Sequence, residues 1–159
     1  MNWISVNYPS ESVLKYHLTE GPLNKVVLKY NLEQQSARIS NDNSQRLFFI
    51  TKIGGLWNNR VTVNNEYGVE SGKITFDRNF RAGVIEIEGK KYHYRVEDGS
   101  SSSIILYEHN LSMPSISCDI EPSSFISKDL ALEYTCLLLG LCWFLSPVPA
   151  RQPEYAKAV

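Results

Sequence analysis

This chain lacks a long charge-free apolar run, an excess of charge of either sign and an even set of cysteines. Its 159 residues carry 16 basic and 17 acidic side chains, for a net charge of −1. Nucleic-acid-binding domains usually carry a strong basic bias, so no DNA or RNA partner is expected. The first residues, MNWISVNYPSESV, have no basic stretch followed by an apolar block, so a secretory signal is not expected either.

Cysteine and histidine are scarce. Two of the three cysteines, Cys136 and Cys142, lie in the most apolar part of the chain, which favours buried, reduced thiols over a disulfide framework. His17, His93 and His109 fall on different predicted strands, and no His/Cys spacing matches a zinc site, so neither a metal nor another cofactor is expected. No nucleophile elbow, phosphate loop or dinucleotide fingerprint occurs, and the chain is not expected to be an enzyme.

Short segments in which apolar and polar residues alternate make up most of the chain. In SVLKYHLT, for example, Leu14, Tyr16 and Leu18 share one face. β-branched and aromatic residues at a period of two predict strands, and the short turns between them predict antiparallel hairpins. The predicted strands are residues 3–8, 12–19, 25–32, 36–40, 46–53, 60–64, 69–77, 82–89, 91–98, 103–109 and 115–121.

One helix is predicted over about residues 128–145, and it has no polar face. Ser127 can cap its start, Asp129 suits the positive end of its dipole, and Pro147 ends it. Its charge-free part, residues 134–145, is shorter than the roughly 20 apolar residues that span a bilayer. No integral membrane insertion is therefore expected, and a tail anchor remains the alternative.

A helix that is apolar all round needs burial on every side. Two packed sheets lie only about 10 Å apart, too close for a helix between them, whereas a barrel of about eleven strands has room for one. The sequence therefore predicts a mainly β fold: a closed antiparallel barrel of about 11–12 strands enclosing one C-terminal apolar α-helix. Residues 1–147 would form this single domain, with Glu133 at a barrel mouth, and residues 148–159 a C-terminal tail.

One cluster of basic and aromatic residues predicts a binding surface. In EGKKYHYR, the basic residues Lys90, Lys91, His93 and Arg95 are interleaved with two tyrosines. A period of two places Lys91, His93 and Arg95 on one strand face and the tyrosines on the other. If the tyrosines point inward, the basic face meets solvent and can hold a phosphate or an anionic headgroup. An ordinary solvated strand face is the alternative.

The segment QRLFFITKIGGLWNNRVTVNNEYGVESGKITFD combines an aromatic strand, a short basic strand and a glycine-containing strand pair. The residues concerned are Phe48, Phe49, Arg60, Gly68, Gly72 and Ile74. With GVIEIEGKKYHYRV as the next hairpin and an apolar helix after the last strand, the arrangement resembles the tubby C-terminal-like superfamily, and its LURP-one-related proteins in particular. The similarity spans roughly residues 26–145. It implies a closed barrel around a helix and, by likeness to the tubby proteins, phosphoinositide binding by basic residues on the barrel.

These observations together predict a non-enzymatic binding or scaffold module. The expected partner is a phospholipid or phosphoinositide headgroup, a small apolar ligand or a protein. The expected location is the cytoplasm, including the periphery of a membrane. Two alternatives stay open: a tail-anchored membrane protein with a soluble β domain, and an uncharacterised enzyme that uses Glu133 or His93 at a barrel mouth.

Overall fold

Eleven strands and one helix make up the part of the chain that the structure, a computed structural model, describes: residues 1–6, 12–53, 60–121 and 130–145. The elements are β1 (Asn2–Ser5), β2 (Val13–Glu20), β3 (Leu23–Asn31), β4 (Ser36–Ser40), β5 (Gln45–Ile53), β6 (Arg60–Asn65), β7 (Glu70–Phe76), β8 (Ala82–Ile87), β9 (Lys90–Asp98), β10 (Ser102–Glu108), β11 (Ile116–Ile120) and α1 (Leu130–Leu145).

The observed strands lie where the alternating pattern predicts them. From β2 to β11, each end is within two residues of the predicted one. The second half of the predicted first strand falls partly outside the described residues. Three predicted helix signals, Ser127, Asp129 and Pro147, lie wholly outside the described residues. The predicted tail, residues 148–159, also lies outside them.

The strands form a closed barrel in chain order, and the barrel closes between β1 and β11. That closing pair is parallel, whereas the sequence predicts antiparallel neighbours throughout. Strand direction alternates along a chain of hairpins, so the first and last of eleven strands run the same way and can meet only in parallel. The seam is short: Asp119 N donates to Met1 O at 3.0 Å, and Glu121 N donates to Trp3 O at 3.3 Å.

Helix α1 lies inside this barrel and is buried on every side, which confirms the predicted architecture. Leu137, Leu138 and Leu139 point in directions about 100° apart, and each is at most 2% exposed. They belong to one core cluster with the inward-facing residues of the strands. Glu133, predicted at a barrel mouth, is only 1% exposed and is therefore buried with the helix. No helix in the described part of the chain is long and apolar enough to cross a membrane.

The two ends of the barrel differ in the part of α1 that they hold. Tyr134, near the helix start, stacks on Tyr94 with the ring centroids 6.4 Å apart, at what we call the proximal end. The distal end holds the end of α1. Because the hairpins alternate between the ends, the distal turns are residues 21–22, 41–44, 66–69, 88–89 and 109–115.

Gly140 lets α1 pack directly against the seam. The Trp3 side chain is fully buried, and a Cβ atom at position 140 would lie 2.5 Å from its Cη2 and 2.7 Å from its Cζ2. Only a residue without a side chain leaves room for this indole. The contact therefore joins the short strand β1 to the helix as well as to its neighbours in the barrel.

The contact between Gly140 and Trp3 yields a stability prediction. Replacing glycine by alanine inside a helix gains about 1 kcal/mol of intrinsic propensity, whereas overpacking a rigid core costs about 1–3 kcal/mol. Because the clash involves a fully buried ring, we expect Gly140→Ala to lower the free energy of unfolding, measured by urea denaturation. The control is Gly99→Ala, where the added Cβ would meet nothing closer than 3.8 Å. A stabilised Gly140→Ala protein would contradict the proposed packing.

Candidate functional site

The predicted basic strand is β9, and its two faces are oriented as expected. Tyr92 and Tyr94 point into the barrel and are 3% and 2% exposed. Lys91, His93 and Arg95 therefore lie on the outer face. The structure nevertheless divides the predicted residues among three different surroundings.

Arg95 is the residue whose charge is most fully matched by its own surroundings. Its Nη2 atom lies 2.5 Å from Glu97 Oε1 and donates a hydrogen bond of 3.2 Å to the Tyr107 hydroxyl. The guanidinium also lies over the Tyr107 ring, 5.8 Å from its centroid. These contacts hold the Arg95 side chain against the outer face of the sheet, away from Lys90 and Lys91.

His93 turns toward the neighbouring strand rather than toward the lysines. Its Nε2 atom lies 3.1 Å from His109 Nδ1, just beyond the end of β10. Sequence reasoning placed these two histidines on separate strands and did not bring them together. The contact could have been predicted from the register of the hairpin of β9 and β10. That register pairs His93 with Tyr107, which makes His109 a diagonal neighbour of His93.

Lys90 and Lys91 line a groove at the distal end, between β7, β8 and the start of β9. The groove has a volume of about 270 Å³, and its charged lining residues are Glu70, Lys73, Glu86, Lys90 and Lys91. Glu86 lies between two ammonium groups, 3.6 Å from Lys73 Nζ and 3.9 Å from Lys91 Nζ. Three lysines against two glutamates leave the groove with a surplus of one positive charge.

A second, apolar pocket adjoins this groove. It has a volume of about 50 Å³ and lies between the end of α1 and the hairpin of β8 and β9. Its lining consists of the apolar or aromatic Phe48, Ile87, Tyr92, Leu139, Cys142 and Trp143 and the charged Glu88 and Lys90. The buried Trp143 Nε1 has no hydrogen-bond acceptor among the described residues.

Arg46 fixes the edge of this pocket. It is 7% exposed; its Nη2 lies 3.0 Å from Glu88 Oε1, and its Nε lies 3.6 Å from Glu66 Oε2. The guanidinium also covers the Phe48 ring at 5.3 Å. Glu88 and Gly89 both have positive φ, 50° and 79°, as a two-residue type I′ hairpin turn requires. The ion pair with Arg46 holds the non-glycine residue of this turn in place.

Burial keeps the phenol and thiol groups of the interior in their neutral forms. It raises the pKa of Tyr92 to about 12, with smaller contributions from Cys142 and Glu108. Burial alone raises the pKa of the Cys142 thiol, and it raises the pKa of Cys118 to about 12. All three cysteines are free and buried, as the sequence predicts. The pocket wall is therefore uncharged except at Glu88 and Lys90.

Comparison of the chain with protein-family models, with curated proteins and with solved structures gave no match. The resemblance to the tubby C-terminal-like superfamily therefore stays a prediction. The barrel and its enclosed helix rest on the structure itself.

The Tyr92 phenol predicts how stability changes in alkaline solution. Its pKa of about 12 in the folded state lies above the ordinary value of 10.0, so the folded state retains a proton that the unfolded chain has lost. This contribution is fully present below pH 10 and is lost as the pH rises from 10 to about 12. We expect Tyr92→Phe to reduce the fall in unfolding free energy over this interval, measured by urea denaturation. An unchanged slope would contradict the assignment, and Tyr67→Phe, at an exposed turn, is the matched control.

Proposed function

We propose that this chain is a non-enzymatic binding module that holds an amphiphilic anion, such as a fatty acid or a phospholipid, at the distal end of the barrel. A short stretch of the ligand's apolar chain enters the pocket beside Trp143, which has room for only a few atoms at about 50 Å³, and the anionic group lies against the lysine groove. One observation carries the proposal: Lys90 lines both the apolar pocket and the groove. A single ligand can therefore contact both at once.

The chemistry of the two cavities supports this assignment. Small-molecule sites are concave and mainly apolar, with a few polar groups that set the orientation of the ligand. Here Lys90 supplies such a group at the pocket, and the other lining side chains except Glu88 are uncharged. The surplus positive charge of the groove favours an anionic head, such as a carboxylate or a phosphate.

The rim of the distal end supports a lipid source for the ligand. Among the described residues, the large apolar side chains exposed in distal turns are Tyr67, Val69, Leu111 and Met113, and Leu23 is exposed directly after the distal turn 21–22. They belong to three separate hairpins, and the polar turns 41–44 and 88–89 lie between them. Isolated apolar tips of this kind can enter a lipid surface without forming the continuous apolar area of a protein interface. A cytoplasmic, membrane-peripheral location is part of this proposal, and a protein partner at the same rim is its competitor.

The surroundings of the reactive side chains support a binding role rather than catalysis. The Cys118 and Cys142 thiols have raised pKa values and stay neutral at physiological pH, which makes them poor nucleophiles. Glu133 lies in the first turn of α1 with its side chain buried, and His93 faces His109 on the outer face of the barrel. The two residues considered for an enzyme at the barrel mouth therefore lie in separate places.

Binding of decanoate below its micellar concentration tests the proposal. We expect calorimetry to detect binding of decanoate, and to show it weakened about tenfold, or about 1.4 kcal/mol, by the double change Lys73→Gln and Lys90→Gln. Higher salt should weaken it further because the groove is open to solvent. The uncharged analogue decanol should bind wild type and variant alike. Arg95→Gln is the matched control, since Arg95 lies outside the groove.

Two further results would distinguish the possible outcomes. Cys142→Leu, which fills the pocket, should weaken both decanoate and decanol. Cosedimentation with phosphatidylserine vesicles but not with phosphatidylcholine vesicles would identify a membrane as the source of the ligand. If decanoate fails to bind, or if it binds all variants equally, the proposed site is wrong. If Arg95→Gln, rather than the Lys73→Gln and Lys90→Gln double variant, abolished vesicle binding, the binding site would lie on the outer face of β9.

A further inference from the structure

Two histidines that are 16 residues apart meet on the outer face of the barrel. His93 Nε2 and His109 Nδ1 are 3.1 Å apart. The register of β9 and β10 sets this contact, and the backbone N–H of His109 donates a hydrogen bond to the backbone carbonyl of Lys91 at 2.9 Å. The backbone therefore holds both imidazoles at one point of the sheet, near the distal end.

The rings meet edge to edge rather than face to face. Their planes differ by 21°, and their centroids are 5.4 Å apart, which exceeds the nitrogen separation by about two ring radii. The two nitrogens therefore point nearly at one another. A neutral pair in this position shares one proton, because one nitrogen donates it and the other accepts it.

We propose that His93 and His109 form a two-histidine chelating site for a divalent transition metal, with Cu²⁺ as the preferred ion. Two nitrogens can bind one metal ion at about 2.0–2.1 Å each, with an N–metal–N angle between about 90° (square) and about 109° (tetrahedral). They then lie about 2.9–3.4 Å apart. The observed 3.1 Å falls within that interval. Both side chains are exposed, so rotations about their χ angles, which turn each ring by roughly 40°, direct the two lone pairs away from one another and at a common point in solvent.

Metal binding requires only a change of tautomer in the neutral pair. The ring that donates the shared proton carries it on its other nitrogen instead, after exchange with water. Both facing nitrogens then present lone pairs to the metal, and no proton is lost overall. Water fills the remaining positions, because the described residues contain no group of three or more His, Cys, Asp or Glu side chains suited to a metal.

Nearby carboxylates offset part of the repulsion that the cationic side chains beside His93 exert on a bound metal ion. Lys91 and Arg95 flank His93 on the same strand face, but each lies beside a carboxylate, Glu86 and Glu97 respectively. The groups opposite His93 on the adjoining strands are Val84 and Tyr107, which carry no charge at neutral pH. Imidazole ligands suit Cu²⁺, and the general affinity order places Cu²⁺ above Ni²⁺ and Zn²⁺.

Calorimetric titration of the full chain with Cu²⁺ at pH 7.5, paired with electron paramagnetic resonance, tests the site. We expect one Cu²⁺ per chain, a spectrum with two nitrogen ligands, and weaker binding of Ni²⁺ and Zn²⁺. His93→Gln and His109→Gln should each lower the Cu²⁺ affinity at least tenfold and remove the two-nitrogen signature. His17→Gln, which removes the remaining histidine on β2, should change neither result.

The same measurements can overturn the proposal. Equal Cu²⁺ affinity in wild type and both variants would place the ion elsewhere. If no Cu²⁺ bound at 0.1 mM, the contact between His93 and His109 would be a hydrogen bond and not a metal site. Both single variants keep an imidazole at the surface of a folded barrel, and circular dichroism verifies that fold. The decanoate experiment involves neither histidine, so the two proposals stand or fall separately.

Discussion

The burial of a helix without a polar side is the constraint on which the rest of this structure depends. Every direction around α1 must meet apolar side chains, because any face left in water would lose the hydrophobic contribution of its leucines. A sheet alone covers one side of a helix. A ring of eleven strands covers all of them, and each strand contributes inward-facing residues to the shared core. The helix and the barrel thus require one another.

This mutual requirement shapes both the seam and the site. An odd number of strands forces the short parallel pair of β1 and β11, and the indole of Trp3 on Gly140 adds side-chain packing where the ladder is shortest. At the distal end, α1 contributes Leu139, Cys142 and Trp143 to the wall of the apolar pocket. The pocket exists because the helix fills the barrel up to that level and leaves a small volume beside the turn at Glu88 and Gly89.

Much of the fold follows from the period-two pattern, because that pattern decides which side chains face the core. It correctly placed Tyr92 and Tyr94 on the strand face opposite Lys91, and the structure shows that the tyrosine face is the buried one. It could not place partners across strands, since these depend on register. The two-residue turn at Glu88 and Gly89 pairs Glu86 with Lys91, and β7 pairs Lys73 with Glu86, so a lysine remote in sequence joins the groove. The apolar pocket was harder still to predict from the sequence, because its existence depends on how far α1 reaches along the inside of the barrel.

The proposed ligand binding at the distal end would be coupled to the stability of the whole barrel through the same helix. A ligand that contacts Trp143 and Leu139 touches residues of the common core and binds only the folded chain, so it stabilises the fold by mass action. An ion on His93 and His109 would act differently. It joins β9 to the end of β10 on the outer face and touches no residue of the core cluster. The two proposed sites would therefore have separate energetic consequences: one would be coupled to the helix that organises the fold, and the other would be confined to a single hairpin.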